Sequence, residues 1–165
     1  ANDVLTIRDL NTCGILKGYT EKNLFISIDT LTAITIYDSA KLFTLDTLNV
    51  QNLRILFVSD IGSCNLTINA SSLNLEIWYG AGDYIVKGKS ENAWFYAGVL
   101  SFIYASEFET NTSYVFNESM GDCYVNANRS LGVEIHDSGN IYYYSEPDEI
   151  NIINNSGTGK LIKGK

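Results

Sequence analysis

A short turn recurs along most of this chain and restricts the fold more than any other feature. It reads "DSAKL" at 38, "DIGSC" at 60, "GAGDY" at 80, "GVLSF" at 98, "SMGDC" at 119, "DSGNI" at 137 and "GTGKL" at 157. The spacing of about 18 to 22 residues lies in the range of solenoid repeats. Aligned on Gly139, the central slot holds Ala40, Gly62, Gly82, Leu100, Gly121 and Gly159. Small residues dominate, with Leu100 the exception, as expected of a turn that needs either positive φ or close backbone approach.

Two positions later the occupants are Leu42, Cys64, Tyr84, Phe102, Cys123, Ile141 and Leu161, apolar or aromatic in every copy. Before each turn the chain alternates, as in "LTAITI", "LGVEI" and "EINII", which is the period of a half-buried strand. No window sustains helical spacing over several turns. Each copy is too short to close a core alone, but stacked copies bury one continuous apolar column. The expected fold is an all-β, single-domain parallel β-helix (β-solenoid) of about seven rungs, coiled in the right-handed sense that parallel crossovers favour. Residues 1–165 form that one domain, with 1–27 an atypical N-terminal rung or cap and 28–165 the repeats.

The slot three after the glycine holds Phe43, Asn65, Ile85, Ile103, Tyr124, Tyr142 and Ile162. If the slot before it points inwards, this one forms an apolar stripe outside, open to a partner subunit, another layer of chain or a ligand. Tyr142 and Tyr144 then share the face opposite Ile141 and Tyr143. Aromatics concentrate in the C-terminal two thirds. Trp78, Trp94, Tyr124, Tyr142 and Tyr144 are the candidate binding residues, because rigid rings stack on sugars or anchor protein partners. Cross-strand stacking within the sheets is the competing reading for each ring.

Other constellations carry less. His136-Asp137-Ser138 resembles a triad, but nucleophile, base and orienter normally converge from separated segments, and His136 has no counterpart in the other copies. It is read as a turn or surface histidine, and no catalytic residues are assigned. Asp38, Asp60 and Asp137 recur in one turn position, and Asp83, Asp122 and Asn140 in another. Backbone capping by these side chains is preferred to a calcium ladder, so no metal and no cofactor is expected. Cys64 and Cys123 share the inward slot three rungs apart, about 14 Å, too far for a disulfide, and Cys13 completes an odd set. Both are expected to be buried free thiols. The Asn65 and Asn117 N-x-S/T triplets are read as incidental to an Asn-rich composition.

With 165 residues and a net charge of −8, nucleic acid is not an expected partner. No apolar run is long enough to span a bilayer as a helix.

The segments "ESMGDCYVNA", "HDSGNIYYYSEP" and "NNSGTGKL" resemble the putative auto-transporter adhesin, head GIN domain family of Bacteroidetes cell-envelope proteins, which has similar glycine turns followed by an I-x-Y strand. The resemblance covers the last third through its motifs and the remainder through the repeat. The chain departs from the pattern with "HDSGN" for a plainer Ser/Gly turn and "SEP" where glycine precedes proline. The resemblance implies a β-helical adhesin, extracellular or in the cell envelope, that binds a surface protein or glycan and supplies no catalytic residues. A homo-oligomer through the apolar stripe is a further expectation. The alternative is a carbohydrate-active enzyme, which requires carboxylates about 5 to 9.5 Å apart. Glu107 and Glu109 come nearest to such a pair in sequence.

Overall fold

In a computed structural model, which describes residues 4–8, 22–58 and 61–165, the alternating segments stack in register as the coils of a parallel β-solenoid. The coils make about six turns, and among the described residues 67% lie in strands and none in a helix. Strands β1 (Ala33–Ile36), β2 (Ala40–Phe43), β3 (Leu48–Asn49) and β4 (Asn52–Phe57) form the first coils. They are followed by β5 (Gly62–Ile77), β6 (Ala81–Ser119), β7 (Cys123–Ile135), β8 (Ile141–Tyr143), β9 (Glu149–Asn155) and β10 (Leu161–Lys163). Every pairing is parallel, and β6 bends around successive corners without breaking. Cys13 and Asp60 lie outside the described residues, as does most of the expected N-terminal cap.

Period-two alternation sends every second side chain into the interior. Ile55, Leu75 and Phe95 pair in register, as do Val115 and Val133, and all five are buried. A second inward column runs Leu42, Cys64 and Tyr84, then Ile103, Cys123, Ile141 and Leu161. The expected column is therefore present except in its fourth copy.

There Ile103, not Phe102, pairs with Cys123, and Tyr104, not Ile103, pairs with Tyr124. Ile103 is fully buried and leaves the outward stripe to Tyr104. The shift originates at the preceding corner. Val99 adopts a left-handed φ of 58°, and the Ser101 hydroxyl donates to the Gly98 carbonyl at 3.0 Å. Ser101, rather than the exposed Leu100, consequently underlies Gly121. The small-residue slot thus has no exception, because serine takes the place that a fixed count from Gly98 gives to leucine.

Close approach explains the glycines. A Cβ at Gly82, Gly121, Gly139 or Gly159 would stand 2.0 to 2.2 Å from the carbonyl oxygen of the residue one coil below. Gly62 is less tightly held, 3.0 Å from the Phe57 ring. At Gly121, Gly139 and Gly159 the requirement is space rather than an unusual dihedral.

One inward column turns polar. Asn117, paired with Ile135, is fully buried; its amide donates to Gly121 O at 3.2 Å and its oxygen accepts from Ser119 N at 3.0 Å. The Ser119 hydroxyl donates to Ser101 O and accepts from Gly121 N. This network adds to the coil-to-coil bonds Met120 N to Val99 O and Gly139 N to Ser119 O in satisfying the corner's backbone. It also removes Asn117 from the surface on which a glycosylation acceptor must lie.

Candidate functional site

The outward face of β5 to β7 is built from residues at alternate positions: Asn74, Glu76 and Trp78; Trp94 and Tyr96; Tyr114, Phe116 and Glu118; Glu134 and His136. Parallel register places Trp94 over Asn74 and Tyr96 over Glu76. Tyr96 and Phe116 stack at 5.3 Å, and Phe116 and His136 at 4.5 Å. Trp94 meets Tyr114 edge-on at 6.3 Å. Between them lies a groove of about 400 Å³ lined by Glu76, Trp78, Tyr79, Trp94, Tyr96 and Phe116.

Several polar groups of this face bond one another. Arg54 grips Glu76 with both ends of its fork, Nε to Oε1 at 2.8 Å and Nη2 to Oε2 at 2.9 Å, and Trp78 Nε1 donates to Oε2 at 3.1 Å. Glu76 is only 6% exposed, yet the Arg54 hydrogen bond holds its carboxyl below the usual range against the opposing effect of burial. Tyr96 donates to Glu118 at 2.7 Å, and Tyr114 donates to Glu134. Burial, reinforced by these carboxylates, pushes both tyrosines up to about 12, so they are donors at neutral pH. His136 Nε2 lies 2.9 Å from Glu134 Oε2. What remains open is ring surface: Trp78 is 42% exposed, Trp94 43% and Tyr79 61%.

Of the five candidate binding residues, Trp78 and Trp94 lie on this face and the three tyrosines do not. Across the glycine corner, Phe102, Tyr104, Tyr124 and Tyr142 form a ladder, with Tyr104 to Tyr124 at 5.1 Å and Tyr124 to Tyr142 at 5.0 Å, stacked with nearly parallel planes. Tyr124 OH approaches Asp122 at 3.4 Å, and burial followed by the Asp122 charge pushes it up to about 12. Tyr144 projects just beyond β8, exposed beside Gly164, whereas Ile141 and Tyr143 turn towards the core. Tyr124 and Tyr142 thus stack along the sheet, as in the competing reading, whereas Tyr144 is exposed.

The triad-like segment disperses. His136 belongs to the aromatic stack, whereas the Asp137 carboxylate caps Ser138 N at 2.6 Å. Asp38 caps Ser39 N in the same way, and Asp122 accepts from Asn140 N at 2.7 Å. Among the described residues no group of three His, Cys, Asp or Glu side chains has the placement of a metal site. Glu107 is occupied by Lys87 at 3.0 Å. Cys64 and Cys123 are buried free thiols.

Arg54, Glu76, Tyr79, Phe116, Glu118, Glu134 and His136 were not singled out as site residues from sequence. The signal was present in "NLEIW", "WFYAG", "YVFNE" and "GVEIH", whose outward positions align only when the register is known.

The family model described as "Putative auto-transporter adhesin, head GIN domain" matches residues 1–147. The chain belongs to this family. A solved structure of a putative adhesin from Bacteroides fragilis is similar to this head GIN domain chain at 23% identity, with a TM-score of 0.74, and the match covers 82% of this chain and 61% of the other. The head GIN domain chain thus spans about three fifths of that protein's length, and the likeness shows the fold. No functionally curated protein matches.

Proposed function

We propose that this head GIN domain is a non-enzymatic binding module of a cell-surface or cell-envelope adhesin, which presents its solenoid faces to a surface protein or glycan. The observation that carries this reading is the groove between Trp78 and Trp94, where ring faces are open while the surrounding carboxylates are held by Arg54, Tyr96, Tyr114 and His136. Acids so engaged are poorly placed to exchange protons with a substrate, whereas exposed rigid aromatics are well suited to contact. The family description supports adhesion and a surface or envelope location. The ladder of Tyr104, Tyr124 and Tyr142 offers a second surface, suited to another copy of the chain.

The test is a binding screen of the immobilised chain against glycans and matrix proteins, repeated with Trp78→Ala and Trp94→Ala. A partner whose affinity falls about tenfold or more in the variants supports the reading. Absence of any binder at high concentration reduces the chain to a scaffold.

A further inference from the structure

The groove's own chemistry narrows the partner, on the premise that the module binds through this face. Two of its donors are already engaged, Trp78 Nε1 with Glu76 and Tyr96 OH with Glu118. The groove offers open π-faces, with the exposed Glu118 carboxylate bonded to one of its rings. That combination suits a cation. The chain already contains one such arrangement: Arg54, half exposed, lays its fork on Glu76 beside Trp78.

Further along the solenoid the pattern of rings and carboxylates continues without its arginine. Glu118 is exposed, accepts the Tyr96 hydroxyl, and has no ion pair with lysine or arginine among the described residues. Glu134 is met by His136 and Tyr114, with no lysine or arginine beside it among the described residues. Arg54 pairs with Glu76, whereas Glu118 and Glu134 have no lysine or arginine partner among the described residues, and the whole chain carries −8.

We propose that the Trp78–Trp94 groove receives arginine side chains from a basic protein segment, with the guanidinium stacked on the indole faces and directed to Glu118. Arginine is preferred to lysine because its planar fork both stacks and pairs with a carboxylate. The basic segment, rather than a glycan, is the partner this face complements.

The experiment is a fluorescence titration of the full chain with a Gly-Arg repeat peptide, a Gly-Lys peptide of equal length and a neutral β-linked glucan oligosaccharide. The expected order is Gly-Arg, then Gly-Lys, with no binding of the glucan. Trp94→Ala and Glu118→Gln should each weaken Gly-Arg binding about tenfold, Trp94→Phe should retain much of it, and added salt should weaken it further. Unchanged melting of the variants excludes misfolding. Equal Gly-Arg affinity for wild type and variants, or no peptide binding at all, overturns the proposal. Glucan binding that Trp94→Ala abolishes also overturns it while sustaining the binding-module reading, which falls separately if the broad screen yields no partner.

Discussion

Gly139 lies so close to Gly121 that a Cβ at Gly139 would stand 2.0 Å from the Gly121 carbonyl oxygen and 2.6 Å from that of Ser119. Both obstacles are backbone, so neither can swing aside. Gly139→Ala should destabilise the fold by about 3 kcal/mol, the upper part of the range for overpacking. At Gly132 the nearest obstacle is the Tyr114 ring at 2.9 Å, a side chain able to shift, and Gly132→Ala should change stability by about 1 kcal/mol or less. Urea unfolding of the two variants measures the difference, and equal losses would contradict the stacking role of the corner.

Tyr84 fills an inward slot, edge-on to Phe57 at 4.8 Å, and its buried hydroxyl has no hydrogen-bond partner among the described residues. Tyr84→Phe removes that unsatisfied group and keeps the ring. A gain of up to about 1 kcal/mol is expected in the same unfolding assay. A clear loss would show that the hydroxyl is satisfied in solution.

Acid should dissolve the Arg54 and Glu76 pair. Glu76 titrates below its ordinary 4.5 in the folded chain because of the Arg54 hydrogen bond. A depressed carboxylate contributes stability that is complete above the unfolded value and is lost as pH falls through the folded one. Glu76→Gln should therefore melt below the wild type at pH 7, with the gap closing as pH drops below 4.5. A gap independent of pH would remove the pair from the stability balance.

Burial pushes the Cys64 thiol up to about 12 and raises that of Cys123 as well. Thiolate is the reactive form, so neither should react with an alkylating agent at pH 8 until the chain is unfolded. Peptide mapping after native and denaturing labelling distinguishes the two states, and rapid native labelling of Cys123 would refute its place in the core.

Most of the architecture is legible in sequence because a solenoid is built by translation. The spacing of Gly82, Gly121, Gly139 and Gly159 and the inward Cys64, Cys123 and Ile141 repeat along the chain as they repeat along the axis. The coils make about six turns rather than seven, and the register departs from that translation at Leu100 and Phe102, where the corner at Val99 to Ser101 moves it by one residue. Because strand periodicity is two, that one residue exchanges inside for outside, sending Ile103 into the core and Tyr104 to the surface. The site was less legible for the same reason. Trp78 and Trp94 could be picked as exposed rings, but Tyr124 and Tyr142 belong to another side, and His136 joins the groove only through Phe116.

Alternation and repeat spacing determined that this chain coils into a parallel β-solenoid with glycine corners, since both are local properties of the backbone. Which rings share a face, and which glutamates have a cation beside them, was decided only when successive coils came into register. The distance between Arg54 and Glu76 spans 22 residues of sequence and one hydrogen bond of space.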